Sequence, residues 1–552
     1  MKLRWVSPTL LFTLPPVCFL TTLMPTSTIR YNTWVNADLS SAVRSVKVLQ
    51  NLVVKILDLS AGSRVVVLNA KDAEQLGVTA WDRINLSSDN GRSIIVLVDI
   101  TKSIVEPHCV GMPMPLASEL RVQDGVSITA NPIPPPVSVK YVQAKIHGAK
   151  LGREEVYAIV KDVVSRNLSD VEMAAFVMAE HYYGLNDDEL LWLTRAIAET
   201  GTQIDFEKPV YDKHSIGGVP GNKVTLIVVP IAAAAGLLIP KTSSRAITSP
   251  SGTADTMSVL APVEFSAQEL RRIALKIGGA IVWGGGLSIA PADDAFITVE
   301  YPLRLDPEPQ MIASILAKKL AVGTDFLVLD LPTGEGTKIA NAEDARRLGN
   351  RFIGLGGKLG IRVRCGVTYG GQPVGHAVGP ALEAKEALQT LEGVGPASLV
   401  EKSTSLAGML LELAGKAVKG EGQALAKQIL QDGRALKKMK EIIEEQGGDS
   451  TIKSAQITVG QHRQVILAPI DGFVTDVSNA AINQIARTTG APVERGSGLV
   501  LFGKRGHKVG KGEPILEIYA ERRSKLEEAC AMVAKLQPVT IEGMLLEEIT
   551  DI

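Results

Sequence analysis

The sequence predicts a multidomain protein of α/β + α + β class. It should hold a small N-terminal β-barrel, a helical domain, a central α/β domain and a small C-terminal β-rich domain. Three observations carry this. The chain has 552 residues, about twice the ~250–300 at which a single core stops growing. Its hydrophobic pattern changes period along the chain, from short β-branched runs to helical spacing, then to helices alternating with apolar strands, then back to short strands. In the middle, two polar glycine-bearing stretches flank one long apolar run, Val224 to Pro240.

In chain order, residues 1–50 come first. Lys2 and Arg4 precede an apolar stretch that superficially resembles a signal peptide, but Pro8, Pro15, Pro16 and Pro25 break it. The preferred reading is a disordered extension, or translated sequence upstream of the true start. Residues 51–136 form the expected barrel, with strands read at 53–59, 64–69, 93–100 and 125–130 and a short helix at 72–76. It resembles the double-psi barrels that open some nucleotide-handling proteins. The stretch 131–136, NPIPPP, is a stiff boundary.

Residues 137–209 switch to helical spacing, with a return segment expected near 292–322. Ser169 and Asn186 stand at N-cap positions, with Glu172 and Glu189 three residues on as capping-box partners. Residues 210–455 alternate helices with strands such as 326–332, an α/β pattern. Residues 462–552 return to short strands with glycine turns.

Composition narrows the function. A net charge of −1 provides no footprint for nucleic acid or an anionic membrane, so any anion site must be local. The four cysteines lie far apart without a CxxC pair, which suggests neither a zinc site nor a disulfide framework and fits a cytoplasmic location. No metal site is expected.

The chemistry lies in Lys241 to Asp255, KTSSRAITSPSGTAD, with the hydroxyls of Thr242, Ser243, Ser244, Thr248, Ser249, Ser251 and Thr253, the charges of Lys241 and Arg245, and the freedom of Gly252. Small donors at the end of a buried element suit an oxyanion; a polar surface turn uses the same residues. The second stretch, DKHSIGGVPGNK (212–223), offers Lys213, His214 and Ser215 to an anion and lets backbone approach a ligand at Gly217 and Gly218. It is neither a Walker loop nor a Rossmann fingerprint.

DKHSIGG, TSSRAITSPSGTAD, ASILAKK (313–319) and GGQPVGHAVGPALEAKEAL (370–388), in this order, resemble the thymidine phosphorylase family and, within it, the archaeal-type AMP phosphorylases. The likeness runs from about Leu52 to the end. It implies phosphorolysis of AMP, with CMP and UMP as further substrates, to free base and ribose 1,5-bisphosphate, with inorganic phosphate as co-substrate and no cofactor. It places Gly218, Ser244, Arg245, Ala246, Ile247, Thr248, Ser249, Thr253, Ser314 and Lys338 around the nucleotide, and Lys213 and Ser215 on phosphate. It makes Asp306 the proton donor to the leaving base and His214, close to that base, a second catalytic residue, with the division of the acid role between them open. An aspartate near the ordinary ~3.9 carries no proton at neutral pH, so this role requires burial or hydrogen bonding. Otherwise Asp306 is a plain helix-start carboxylate, and Lys338, Lys318 and Lys319 are solvated lysines.

One departure bears on the base. Where the pyrimidine enzymes carry an arginine for the pyrimidine carbonyl, Val299 stands here, an apolar contact better suited to a purine. The implied assembly is a homodimer or larger, with alanine-rich helices of the helical domain as the dimer face. The alternatives are a pyrimidine or thymidine nucleoside phosphorylase and a non-catalytic AMP-binding regulator.

Overall fold

The protein is described by a computed structural model covering residues 48–59, 61–246 and 249–545. Residues 1–47 of the expected extension, and Ile247 and Thr248 of the expected nucleotide site, lie outside the described residues. The described residues form two compact units: one holds Val65–Ile133 and the strand before it, the other Ala61–Arg64 and the chain from Pro134 on.

The N-terminal unit is a closed barrel of six strands that mixes parallel and antiparallel pairing. It begins at Leu49, and its last strand, Ser127–Ile133, runs into the stretch read as a linker. Strands Arg83–Ser88 and Cys109–Pro113 were not expected. The first carries Arg83 and Asn85 among its apolar residues and the second includes Gly111, so neither shows a clean β-branched run.

In the second unit the helices Arg153–Val164, Asp170–Tyr183 and Asp187–Glu199 appear where spacing puts them, and Ser169 and Asn186 cap the latter two with their side chains. Helices Pro291–Leu303 and Glu308–Ala321 are the return segment and share their core. The central sheet is parallel: strand Phe326–Thr333 lies between Arg362–Tyr369 and Tyr211–Ser215. A bridge from Val210 to Leu238 leads on to the parallel pair Ile239–Ser243 and Gly279–Trp283. The apolar run folds as the helix Thr225–Ala234, entirely buried over 225–233, and feeds the strand Ile239–Ser243. Helices Ala397–Leu413 and Arg434–Glu445 pack in the same core.

The C-terminal part has the expected strands, among them His462–Leu467, Gly472–Val477 and Pro514–Ala520. It also holds two helices the β-rich reading left out, Asn479–Thr488 and Arg523–Leu536. Among the described residues no helix is long and apolar enough to cross a membrane.

Candidate active site

Strand order decides where a ligand can lie. The chain adds strands to one side of Tyr211–Ser215 and then returns to the other. Beyond the carboxyl ends of strands at such a reversal, an open α/β sheet leaves a crevice. Ser215, Ser243 and Trp283 end their strands there.

Alternation along Tyr211–Ser215 sends Asp212 and His214 to one face and Lys213 and Ser215 to the other. Asp212 is buried between Lys241 Nζ at 3.1 Å and Lys319 Nζ at 2.6 Å. Burial alone would raise its carboxyl; Lys241 and Lys319 outweigh burial and hold it below the usual carboxylate value. Lys241 is pushed down to about 7 by burial, with Asp212 pulling against it. Burial, together with Lys319, Lys241 and Lys213, drives His214 well below its ordinary value, so its imidazole is neutral at physiological pH.

On the other face Ser215 Oγ donates to Asp330 Oδ2 at 2.9 Å and accepts from Asn222 Nδ2 at 3.0 Å. Asp330 is fully buried and lies 3.3 Å from Lys402 Nζ. Lys213 is buried and pushed down to about 8, against the pull of Asp330.

Asp255 folds the hydroxyl-rich loop. Its Oδ2 accepts the backbone N–H of Ala246 at 2.7 Å and of Gly252 at 2.9 Å, and its Oδ1 meets Arg245 Nη1 at 3.3 Å. Arg245 also reaches Glu264 at 2.8 Å and stacks on Trp283. Gly252 is required by close approach: a Cβ there would stand 2.6 Å from Ser244 O and 2.7 Å from Ala246 N. The arginine, the loop and the GTAD turn therefore form one folded unit, which is why they are contiguous in sequence.

The carboxylates Asp212, Asp255 and Asp330 lie behind one cleft of about 650 Å³ that their basic and hydroxyl partners line. Lys213, His214, Ser215, Gly218, Ser244, Arg245, Ala246, Ser249, Thr253 and Ser314 all contribute, as the sequence reading grouped them. The helical side adds Asp294, Ile297, Ser314, Ile315 and Lys318. Asp306 and Lys338 are not in its lining. They form an ion pair with each other, both half exposed, so Asp306 lacks the burial that an acid role requires. The pair stands beside the cleft rather than far from it: a Cβ on Gly218, whose φ is +88°, would lie 3.1 Å from Lys338 N.

Two side-chain expectations change. Lys319 is buried on Asp212, and Lys318 pairs with the buried Asp293 at 2.6 Å, so neither belongs to a solvated helix face. Val299 packs in the helical core and does not line the cleft; Ile297, two residues earlier, does. The sequence reading did not single out Trp283, Asn222, Thr225, Asp294 and Glu383, which also line it. Trp283 was the most legible of them, an aromatic at a strand end before three glycines.

The site is a basic floor with a hydroxyl-rich wall, facing a helical wall where Ile297 and Ile315 stand among Asp294, Ser314 and Lys318. It can hold one or more phosphate groups beneath a flat heterocycle. Residues 139–201 match the helical bundle domain of a glycosyl transferase family, residues 207–294 its a/b domain, and residues 473–540 the pyrimidine nucleoside phosphorylase C-terminal domain. AMP phosphorylase of Methanococcoides burtonii is 46% identical over 500 residues, covering 90% of this chain and 98% of its own. Those of Methanospirillum hungatei and Pyrococcus furiosus are each 48% identical, covering 91% and 90% of this chain and 97% and 99% of theirs. A likeness of this depth, sustained along nearly the whole of both chains and enclosing the cleft just described, places the chain in the AMP phosphorylase family.

Proposed function

We propose that this protein cleaves AMP with inorganic phosphate, giving adenine and ribose 1,5-bisphosphate. A phosphate oxygen attacks C1′, the C1′–N9 bond breaks, and its electron pair goes to adenine, which is relieved by a proton at N7. The observation that carries this is the cleft, whose Lys213, Lys241 and Arg245 and hydroxyl loop offer more cationic and hydroxyl donors than a single phosphate needs. The chemistry needs an anionic nucleophile held in place and a proton for the departing base.

Phosphate lies on Lys213 and Ser215, and the nucleotide spans Gly218, Ser244–Ser249, Thr253 and Ser314. His214, neutral among lysines, orients the base and does not supply its proton. Asp306 supplies that proton, but a carboxylate held by an ammonium has none to give. The pair must therefore exchange partners: Lys338 turns to the 5′-phosphate, and the bound base covers the released Asp306, supplying the burial under which a carboxyl keeps a proton for N7. On this reading the 5′-phosphate is a condition of catalysis as well as of binding.

No metal takes part, the protein is cytoplasmic, and two copies meet through the helical domain. Sizing the full chain and a barrel deletion tests the last point.

The decisive experiment is base release from a panel of nucleosides and 5′-monophosphates, with and without phosphate and EDTA. Adenine from AMP only when phosphate is present, unaffected by EDTA, is the expected result. Faster release from uridine or thymidine would overturn it in favour of the nucleoside enzymes. No release from any substrate would leave a binding protein.

A further inference from the structure

Two acids line the cleft among the described residues, Asp294 and Glu383. Asp294 is exposed to solvent, but Glu383 is 3% exposed. It lies in the first turn of the helix Pro380–Leu391, and its Oε1 accepts the Gly379 N–H at 3.1 Å. That contact caps the helix and occupies one oxygen, so capping alone does not account for the other.

The charges facing Glu383 do not neutralise it. Lys223 comes from the loop before the buried helix, Asp255 from the helix Thr253–Met257, and Glu386 from one turn further along its own helix. Lys223 Nζ is already engaged by Glu386 and by the carbonyls of Val374 at 3.1 Å and Ala377 at 2.8 Å. Asp255 is spent on the Arg245 loop. Glu383 therefore meets two other acids and one lysine that is fully engaged elsewhere. An unpaired carboxylate so deeply buried is costly, and such a group keeps its proton.

We propose that Glu383 is a phosphate-binding residue that acts as a neutral carboxylic acid, donating its O–H to a phosphate oxygen held in the cleft. This rests on the reading of the cleft as a phosphate site. Burial pushes the Glu383 carboxyl up to about 7, so the donor is present below neutrality and lost above it. An ionised Glu383 presents a negative charge to the anion instead. The residue both adds a hydrogen bond and limits the pH range over which the site accepts phosphate.

Sulfate tests this, because it stays a dianion throughout the range and its own protonation does not intrude. Its competitive inhibition constant against phosphate is measured from about pH 6 to about pH 8.5, in the wild type and in Glu383→Gln and Glu383→Ala. Glutamine keeps the acceptor for Gly379 and supplies a permanent N–H donor. Lys241 and Lys213 titrate in the same range in every variant, so the difference between proteins belongs to Glu383. The wild type is expected to lose roughly ten-fold more sulfate affinity across this range than Glu383→Gln. Glu383→Ala is expected to bind sulfate weakly even at the acid end.

Equal pH dependence in the wild type and Glu383→Gln overturns the assignment. So does a wild-type affinity that does not fall with pH, a result that needs no variant to fold. Either result alongside phosphate-dependent adenine release would leave the proposed function standing. Absence of that release would remove both.

Discussion

The sharpest test of the cleft floor is Asp212→Asn. In the wild type one buried carboxylate neutralises two buried ammonium groups, at 3.1 and 2.6 Å. Asparagine keeps the shape and removes the charge. Deleting one partner of a buried pair costs ~3–5 kcal/mol when the survivor must stay charged. Lys241 need not stay charged: at about 7 it is half protonated at neutral pH, and giving up that proton costs only about 0.4 kcal/mol. Lys319, buried at 2.6 Å from the same carboxylate, carries most of the penalty, so a loss of about 2–3 kcal/mol is expected. The neutralised Lys241 should also cost one charge-assisted hydrogen bond to phosphate, about 1.5–3 kcal/mol, or roughly ten-fold or more in affinity.

The control is Lys241→Met, which breaks the same ion pair but leaves Asp212 with Lys319. It should weaken phosphate comparably while destabilising less than Asp212→Asn. Urea denaturation with and without phosphate, together with the phosphate KM, reads both quantities. An Asp212→Asn protein as stable as the wild type with an unchanged phosphate KM would refute the charge accounting. So would a Lys241→Met protein less stable than Asp212→Asn.

Three further outcomes follow from the geometry. Asp306→Asn should lower kcat by ~10²-fold or more while shifting the melting temperature little, since an exposed ion pair is worth ~0–1 kcal/mol. Lys338→Met should cost more with AMP than with adenosine as substrate, measured as kcat/KM for each, because only AMP offers the 5′-phosphate that draws the ammonium off Asp306. Gly252→Ala drives a Cβ onto Ser244 O and Ala246 N, so it should raise KM for AMP and phosphate together, readable by steady-state kinetics.

Much of the fold was legible because local chemistry and tertiary need agree. Ser169 with Glu172, and Asn186 with Glu189, are capping boxes in sequence and in structure. The run from Val224 to Pro240 reads as a buried helix and strand because nothing in it could face water. The omissions share one cause: each element draws its stability from a neighbour rather than from its own pattern. The strand Arg83–Ser88 is mostly polar in composition yet pairs on both sides, with Ser93–Thr101 and Ser127–Ile133. The helices Asn479–Thr488 and Arg523–Leu536 pack on each other and share the C-terminal core.

The site divides along the same line. Residues within one short stretch were legible because their spacing carries the geometry: Asp255 can bind the amides of Ala246 and Gly252 only if the loop between them is short, and so the motif survives as a string of letters. Residues whose role depends on burial were not legible. Lys319 and Lys318 sit side by side on a helix and look solvated; only the docking of that helix against the sheet reveals that each meets a different aspartate. Glu383 looks like an ordinary helical acid in ALEAKEAL, four residues after a glycine. Its chemistry comes from the absence of a free cation around it among the described residues, and an absence in three dimensions has no signature in one. Sequence therefore marks the groups that touch a ligand through contiguous backbone, while the groups that set the charge state of the cleft emerge only when the elements are packed.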